Sequence, residues 1–294
     1  MTLRRATVEA LEGVDPAYVE DLVNRAVAED LAGGVDVTST ATVPLELRGL
    51  AAFVPRQDGV VAGLGVALAV LDVVVADELE IRSVGVDGLA ASRGAAVLEV
   101  IGPVRALLTA ERTALNLLCH LSGIATLTRA WVEAVEGTGA RIRDTRKTTP
   151  GLRVLEKAAV RAGGGVNHRM SLSDAALVKD NHVVAAGGVR QAFEAVRREF
   201  PGLPVEVECD TVDQVREVLA AGADLVLLDN MTLEQLRECV ELCRPRSVLT
   251  EASGGLAVNN ARQVAQTGVD FLAVGALTHS APVLDLGMDL RMEP

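Results

Sequence analysis

VEVECDTVDQVREVLAAGADLVLLDN, residues 205–230, decides the fold, because a short apolar run, an amphipathic stretch and a second apolar run follow one another in it. The two apolar runs predict buried strands, and residues 211–221 between them have the periodicity of a helix. Gly222 follows at the position where a helix C-cap is expected. The stretch therefore predicts a β/α/β unit with parallel strands.

The same unit recurs toward the carboxyl terminus. Each apolar run after the first begins 20 to 23 residues after the one before, residues 232–243 have helical periodicity, and Gly268 marks another C-cap position. Regular repeats of this kind predict a parallel sheet and favour a barrel. Two shorter strand candidates bring the count to six, which leaves closure as an eight-stranded barrel open. The predicted strands are residues 141–143, 176–179, 205–208, 225–228, 248–251 and 271–274.

The amino-terminal part of the chain has a different pattern, with strand candidates separated by glycine-containing turns. Helices are predicted within residues 7–31, at 64–75 and at 109–121, and the last of them joins this region to the barrel. The region therefore predicts an α+β domain with strands at residues 51–54, 79–84 and 96–100.

Composition excludes several classes of function. The 294 residues include 28 Lys and Arg, 40 Asp and Glu and 2% aromatic residues, so the net charge of −12 and the few stacking side chains disfavour nucleic-acid binding. The apolar segment 60–75 is interrupted by Gly63, Gly65 and Asp72 and is shorter than the roughly 20 residues of a membrane span. Residues 1–11 lack the apolar core of a secretory signal, and four scattered cysteines indicate reduced thiols. We therefore expect a cytoplasmic protein that acts on small molecules without a nucleic-acid or membrane partner.

Positive charge is concentrated between Arg141 and Lys179, against the acidic balance of the whole chain. Within this segment Arg153, Lys157 and Arg161 are spaced four residues apart in a helix-like run, which predicts a solvent-exposed helix face. The other cations of the segment are candidates for anion binding.

Acidic residues recur at matched positions at the ends of successive predicted strands. In β/α barrels the catalytic side chains come from the carboxyl ends of the strands, so we expect Glu208, Asp229 and Glu251 to face one another across the rim. Hard oxygen ligands of this kind suit Mg²⁺ bound to a pyrophosphate. The alternative is that these carboxylates form structural salt bridges with Lys147, Lys179 and Arg146.

Glycines follow the last two predicted strands, where backbone amides commonly bind a phosphate in barrel proteins. The two segments are Ser253-Gly254-Gly255 and Gly275-Ala276, and His279 lies close enough in sequence to reach a phosphate or a strand-end carbonyl. In another loop His168 stands next to Arg169, either as part of an anion site or as a loop cap. Since a planar guanidinium fits a carboxylate, several arginines would suit a substrate with two carboxylates.

Taken together, these segments resemble the quinolinate phosphoribosyltransferase family over most of the chain. The number, order and spacing of the matching motifs make the resemblance specific. They are ERTALNLLCHLSG from Glu111, RDTRKTTPGLR from Arg143, GGGVNHRMSLSD from Gly163, LVKDNHV from Leu177, VEVECDT from Val205, LVLLDN from Leu225, EASGGL from Glu251 and FLAVGALTHSAP from Phe271.

The resemblance implies an α/β fold with two domains. The first is an open α/β sandwich of residues 1–118, joined by the tail 280–294, and the second is a partial (β/α) TIM-like barrel of residues 119–279. It also implies a reaction in which quinolinate and phosphoribosyl pyrophosphate give nicotinate mononucleotide, pyrophosphate and CO₂, as a step of NAD biosynthesis. The enzyme would be a homodimer.

The resemblance further assigns roles to individual residues. Quinolinate would be bound by Thr145, Arg146, His168 and Arg169, together with Arg112 from the partner subunit. Lys147, Lys179, Glu208 and Asp229 would be catalytic, with Mg²⁺ held by Glu208 and Asp229 directly or through water. Phosphoribosyl pyrophosphate would be bound by Lys147, Lys179, Glu208, Asp229, Ser253, Gly254, Gly255, Gly275, Ala276 and His279.

Other functions remain as alternatives at this point. A paralogue of the family could transfer the phosphoribosyl group to a different acceptor, although Arg146 and the His168-Arg169 pair would then lack a second carboxylate to bind. A barrel of the aldolase type would use Lys179 to form a Schiff base. A non-catalytic phosphate-binding protein would leave Arg112 and His168 without a role.

Overall fold

A computed structural model describes residues 3–292. Within this range the elements alternate between helices and strands, with two short 3₁₀ helices at Ala76–Glu78 and Arg244–Arg246. The helices are α1 (Arg5–Ala10), α2 (Pro16–Leu31), α3 (Val37–Thr42), α4 (Leu64–Val75), α5 (Val104–Ala134), α6 (Arg153–Ala162), α7 (Asp180–Ala186), α8 (Val189–Glu199), α9 (Val212–Ala220), α10 (Leu233–Cys243), α11 (Val258–Ala265) and α12 (Ala276–His279). The strands are β1 (Arg48–Pro55), β2 (Gly59–Val60), β3 (Glu80–Val84), β4 (Ala90–Ala91), β5 (Leu98–Pro103), β6 (Arg141–Arg143), β7 (Ala176–Val178), β8 (Val205–Cys209), β9 (Leu225–Asp229), β10 (Leu249–Ser253), β11 (Phe271–Ala273) and β12 (Leu286–Met292).

The chain forms two compact units. The first contains the chain up to Leu127, the segment Val154–Gly164 and the chain from Ser280 onward, whereas the second contains Thr128–Arg153 and Gly165–His279. The boundary predicted between residues 118 and 119 falls inside α5, which continues without interruption to Ala134. No helix within residues 3–292 is both long and apolar enough to cross a membrane.

The first unit is built on a four-stranded antiparallel sheet of order β12-β1-β5-β3. Each of the three strands predicted from the amino-terminal sequence overlaps one of its members, and the helix predicted at residues 64–75 is confirmed as α4. α4 is apolar on almost every side and correspondingly buried on almost every side. Asp72 lies buried within it and accepts hydrogen bonds from Thr7 Oγ1 and from the backbone N–H of Arg4.

One sequence prediction in the first unit is wrong. Lys157 was expected on an exposed face together with Arg153 and Arg161, but Lys157 is completely buried. The reason is that α6 packs with most of its circumference, so Leu155, Val160 and even Glu156 are buried beside Lys157. Of the three cations only Arg161 is exposed.

The second unit contains a six-stranded parallel sheet of order β6-β11-β10-β9-β8-β7. All six strands predicted for the barrel are confirmed, and the connecting helices begin where the sequence supplies caps. Thr211 and Thr232 each cap a helix and bond reciprocally with the Gln three residues later. Gly222 and Gly268, expected near helix ends, have φ values of +87° and +94°. The unit is therefore a partial β/α barrel, as predicted.

Candidate active site

The parallel sheet brings the predicted residues of the second unit to one edge, because all six strands point their carboxyl ends the same way. Thr145, Arg146 and Lys147 follow β6, and Lys179 follows β7. Glu208 and Asp229 lie among the last two residues of β8 and β9. The glycine segments follow β10 and β11. The rim group, as it is called below, comprises Thr145, Arg146, Lys147, Lys179, Glu208, Asp229, Ser253, Gly254, Gly255, Gly275, Ala276 and His279, and Arg169 lies instead against Ala175, before β7.

Two carboxylates of the rim group have defined neighbours. Lys179 Nζ donates a hydrogen bond of 2.7 Å to Glu208 Oε2, as the salt-bridge alternative predicted, and the Lys179 side chain is 47% exposed. Asp229 Oδ2 accepts a hydrogen bond of 2.6 Å from the Asn230 side-chain amide. These two bonds involve one oxygen of each carboxylate, so the other oxygen of Glu208 and of Asp229 can still contact a ligand.

Asn230 also shapes the Ser-Gly-Gly turn. Its backbone N–H donates to the Ser253 carbonyl at 2.9 Å, and its φ is +51°. Gly254 has a φ of +85°, and a Cβ at that position would lie 2.1 Å from Asn230 Oδ1. Only glycine therefore fits this position. A cavity of about 330 Å³ adjoins the turn and is lined by Asn230, Ser253, Gly254 and Gly255 among others.

The glycine after β11 also lies against the rim. A Cβ at Gly275 would meet Lys147 Cδ at 2.9 Å and His279 Nε2 at 3.3 Å, so these two side chains converge on its backbone. Thr278 Oγ1 donates a hydrogen bond of 2.8 Å to the Lys147 carbonyl, which ties the β6 loop to α12. The arrangement places an ammonium group, an imidazole and the start of a short helix around one backbone position.

The guanidinium group of Arg169, in the loop that carries His168, is affected by the charge of Arg146. Burial lowers the pKa of Arg169, and the positive charge of Arg146 lowers it further, while Asp174 and Glu206 oppose this shift. Arg169 Nη1 donates a hydrogen bond of 2.8 Å to the Ala175 carbonyl. Cations repel each other unless an anion lies between them. Arg146 and Arg169 would therefore suit a ligand with more than one negative group.

A second set of ionic residues lies below the rim. It consists of Arg143, His168, Glu206 and Glu251, and is called the buried cluster below. Arg143 Nη1 donates to Glu251 Oε2 at 2.6 Å, and His168 Nε2 lies 2.7 Å from Glu206 Oε2 and 3.5 Å from Glu251 Oε1. Burial and the neighbouring charge of Glu206 raise the pKa of Glu251 to about 7. The guanidinium of Arg143 also lies 4.6 Å from the centre of the Phe271 ring.

The loop that carries His168 is held by Asp144, which is completely buried. Its two carboxylate oxygens accept hydrogen bonds from the His168 backbone N–H at 2.7 Å and from the Asn167 side-chain amide at 2.5 Å. The backbone of Val166 pairs with Ile142 and Asp144, so the loop adds an edge to β6. The positions of His168 and Arg169 are therefore determined by the end of β6.

Glu251 does not face the rim, contrary to the sequence prediction. The predicted strand ended at residue 251, whereas β10 continues to Ser253, so Glu251 is the middle residue of the strand and is completely buried. Glu208, by contrast, is the fourth of five residues in β8. Glu208 and Glu251 both pair with Leu227 of β9, so they lie level in the sheet, and Glu251 differs in being buried and bonded to Arg143.

Sequence reasoning also missed Glu206 and Asn230. The alternation Val-Glu-Val-Glu in β8 puts Glu206 on the same side of the strand as Glu208, and this signal could have revealed it. Asn230 was read as a strand-end residue without a role. Its positive φ and its contact with Gly254 depend on tertiary structure and leave no signature in the sequence.

Several predicted residues lie elsewhere. Arg112 is exposed on α5 in the first unit. His120 Nε2 contacts Glu156 Oε1 at 2.9 Å in the first unit, and His182 Nδ1 accepts a hydrogen bond from the backbone N–H of Lys179 at the start of α7. A cavity of about 330 Å³ in the first unit lies between α1, α4 and α6, and no residue of the rim group lines it.

Two donor sets could hold a cation. Glu208 and Asp229 offer carboxylate oxygens at neighbouring strand ends, which is the chemistry that Mg²⁺ prefers. The ligand atoms of His168, Glu206 and Glu251 lie within 4.8 Å of one another. There the guanidinium of Arg143 already supplies positive charge, so the rim carboxylates are the better Mg²⁺ ligands.

The fold and the rim define a class of protein, a β/α-barrel enzyme whose strand ends present cations and glycine turns to an anionic, phosphorylated ligand. Comparison with known families identifies the family to which this enzyme belongs. Residues 36–122 match the family model "Quinolinate phosphoribosyl transferase, N-terminal domain", and residues 124–289 match the model for the C-terminal domain. The chain belongs to the quinolinate phosphoribosyltransferase family.

Individual relatives agree with this assignment. The chain is 53% identical over 273 residues to nicotinate-nucleotide pyrophosphorylase [carboxylating] of Mycobacterium leprae, covering 92% of this chain and 96% of that protein. It is 40% identical over 278 residues to the probable enzyme of the same name of Bacillus subtilis, covering 93% and 94%. The crystal structure of NadC from Streptococcus pyogenes has a TM-score of 0.91 and 39% identity, covering 96% of this chain and 99% of that one.

Proposed function

We propose that this chain catalyses the reaction of quinolinate with phosphoribosyl pyrophosphate to give nicotinate mononucleotide, pyrophosphate and CO₂, a step of NAD biosynthesis. The curated relatives bear names for this activity over nearly the whole chain. The observation that carries the proposal is the match of residues 36–122 and 124–289 to the two domain models of the family, together with the cations Lys147 and Lys179 at the strand ends.

The acceptor would be bound through its two carboxylates. Arg146 and Arg169 are matched to planar anions, and Thr145 adds a hydroxyl group at the same strand end. His168 adjoins Arg169 in the same loop and belongs to the same site. Arg112 would complete the site from the partner subunit, since a second cation on a neighbouring chain balances the charge of the dianion.

Phosphoribosyl pyrophosphate would occupy the rest of the rim. Lys147, Lys179 and His279 bring cationic or hydrogen-bonding groups to its phosphates, and the backbone of Ser253, Gly254, Gly255, Gly275 and Ala276 can approach an anion closely. Glu208 and Asp229 supply the oxygen ligands for Mg²⁺, directly or through water. When bound, Mg²⁺ would neutralise charge on the pyrophosphate leaving group.

The chemistry needs positioning rather than a protein nucleophile. The pyridine nitrogen forms a bond with the anomeric carbon of ribose as the bond to pyrophosphate breaks, and the ribose carries positive charge in the transition state. The negative charge of Glu208 and Asp229 would stabilise that cation, directly or through the metal. The ring nitrogen is then cationic, so the carboxylate beside it leaves as CO₂ and the ring carbon takes a proton. The bond from Lys179 Nζ to Glu208 Oε2 supports a charge-binding role for Lys179 over that of a Schiff-base amine.

We propose that the enzyme acts as a cytoplasmic homodimer. Apolar side chains are exposed on both units, including Val184 on α7 at 81%, Leu172 before it at 71% and Val37 on α3 at 72%. Exposed apolar groups concentrated in short segments are typical of surfaces that a second chain covers. Sedimentation equilibrium of the full chain should give the mass of two copies, and Val184→Glu should shift it toward one.

The activity is tested by incubating the enzyme with phosphoribosyl pyrophosphate, Mg²⁺ and quinolinate, and following nicotinate mononucleotide by mass. Nicotinic acid serves as a parallel acceptor with one carboxylate. Product from quinolinate alone is expected, and Arg146→Ala should lower kcat/KM for quinolinate by about a hundredfold, because a charge-assisted pair is lost. Product from nicotinic acid but not from quinolinate, or no product from either, would refute the proposal.

A further inference from the structure

Three members of the buried cluster, Arg143, Glu206 and Glu251, have no role in the proposed reaction, although they adjoin the loop that carries His168 and Arg169. We propose that Glu206, beside Glu251 and Arg143, is a positioning residue that keeps His168 in its Nε2–H tautomer. Nδ1 of His168 is then free to accept the backbone N–H of Arg169 and hold Arg169 at the acceptor site. His168 thus acts on the acceptor through Arg169 rather than through a ring nitrogen.

The hydrogen bond at Nδ1 determines the tautomer. The backbone N–H of Arg169 donates to His168 Nδ1 at 2.7 Å, and an amide N–H can only donate. Nδ1 must therefore carry a lone pair, and the ring proton sits on Nε2. A doubly protonated ring would place two N–H groups against each other at this contact.

The other ring nitrogen points into the barrel. Nε2 lies 2.7 Å from Glu206 Oε2, and the carboxylate approaches off the axis of a linear hydrogen bond. His168 is 9% exposed and Glu206 is 3% exposed. A buried carboxylate next to Nε2 favours a proton at that nitrogen over one at Nδ1. The side of the ring that could meet a ligand is thus turned toward Glu206.

The remaining members of the cluster explain why Glu206 stays in place. A buried carboxylate is costly without a cation, and Arg143 supplies one through its bond to Glu251. Glu251 Oε1 lies 3.5 Å from His168 Nε2, whereas its other oxygen, Oε2, accepts the bond from Arg143. Three ionic groups, from β6, β8 and β10, therefore surround one imidazole.

This inference rests on the proposed function only where it concerns the acceptor. Arg169 is held at two points: its backbone N–H donates to His168 Nδ1, and its guanidinium donates to the Ala175 carbonyl. The preceding residue, His168, is held in turn by the bond from its backbone N–H to Asp144. Release of the amide would let the guanidinium turn away from Arg146. Acceptor binding should then weaken, while binding of phosphoribosyl pyrophosphate at the other strand ends should not.

The tautomer can be measured without any substrate. In ¹⁵N-labelled full-length enzyme, the ring of His168 should show one protonated nitrogen, Nε2, and one nitrogen with a lone pair, Nδ1, at neutral pH. His168→Asn assigns the signals among the four histidines. A ring protonated at both nitrogens, or at Nδ1 alone, would overturn the proposal. Because no acceptor is used, this result is independent of whether quinolinate is the substrate.

Substitutions of His168 separate positioning from direct binding. Asn places an acceptor where Nδ1 is, whereas Gln places a polar group where Nε2 is. KM for quinolinate should be about tenfold higher in His168→Gln than in His168→Asn, the value of one hydrogen bond. KM for phosphoribosyl pyrophosphate should change in neither. The reverse order of the two variants would mean that Nε2 binds the acceptor directly.

Glu206→Leu tests the carboxylate, with Glu156→Leu as the matched control. Glu156 is also buried and also contacts a histidine Nε2, at 2.9 Å from His120, but it lies in the first unit. Both variants should lose stability, and only Glu206→Leu should raise KM for quinolinate about tenfold and change the His168 ring signals. Equal effects of the two variants on KM would reduce Glu206 to a structural role. An inactive wild-type enzyme would instead refute the proposed function and leave the ring measurement valid.

Discussion

The rim group and the buried cluster use the same residue types in opposite ways. At the rim, Lys179 and Glu208 form one contact and remain partly exposed, and each rim carboxylate keeps an oxygen for another partner. Two residues lower in β8, Glu206 is buried against His168, and Glu251 is bonded to Arg143. In this barrel, the burial of a carboxylate and the partners packed around it decide whether its charge is available to a ligand or satisfied within the protein.

The largest effect should come from the rim carboxylates. Glu208→Gln and Asp229→Asn remove negative charge from the position where the ribosyl cation develops, so kcat should fall by about a hundredfold or more. The unfolding midpoint should stay close to that of the wild type, because both residues lie at strand ends. Steady-state kinetics and thermal unfolding of the same preparations check this, and a variant that loses stability but keeps kcat would place these residues among the structural ones.

A smaller effect is expected at the glycine turn of the rim. Gly254→Ala puts a Cβ 2.1 Å from Asn230 Oδ1 at a φ of +85°, so it should cost about 2 kcal/mol in the free energy of unfolding and raise KM for phosphoribosyl pyrophosphate. Gly255→Ala is the matched control, because its φ is +61° and no atom lies within 4 Å of the new Cβ. It should cost about 1 kcal/mol. Urea unfolding gives both values, and equal costs would mean that the Asn230 contact does not constrain the turn.

A third effect, on stability alone, is a pH dependence that belongs to the buried cluster. The pKa of Glu251 is raised from 4.5 to about 7 in the folded protein, mainly by burial and then by Glu206. Between these two values the folded state binds more protons than the unfolded state, so stability falls as pH rises. The contribution is fully present below pH 4.5 and is lost by about pH 7, with an upper bound of about 3 kcal/mol.

Urea unfolding at pH 5 and pH 8 tests this in the wild type and in Glu251→Gln. The variant should have a smaller loss of stability between the two values, because its side chain does not titrate. Asp87 in the first unit, whose pKa burial raises to about 6, contributes a similar slope at lower pH. Asp87→Asn should therefore flatten the plot of unfolding free energy against pH at its low-pH end and leave its slope near pH 7 unchanged. An unchanged slope in Glu251→Gln would contradict the assignment.

Much of the fold could be predicted from the sequence, because local signals and tertiary structure agree in it. The parallel strands are continuous apolar runs at regular spacing, and Thr211 and Thr232 supply helix caps within a few residues. α4 was predicted from end to end since nothing in its sequence competes with a buried helix. The burial of Lys157 could not be predicted, because the 3.6-residue periodicity does not say how much of a helix is covered.

The site could be predicted less completely. Motifs located the strand-end residues, and Lys179 and Glu208 are in contact as one reading of their charges suggested. The exposure predicted for Glu251 was wrong, because it depends on where β10 ends, and residue propensities do not locate a strand end to within two residues. The buried cluster as a set escaped notice because its four residues come from four separate segments and meet only in the folded barrel.

The most direct test of the contrast between rim and interior is a crystal structure of the enzyme with quinolinate bound. Its carboxylates should contact the guanidinium groups of Arg146 and Arg169, while His168 Nε2 stays against Glu206 and Arg143 stays against Glu251. A quinolinate carboxylate bonded to His168 Nε2 or to Arg143, with the buried cluster opened to receive it, would contradict the account.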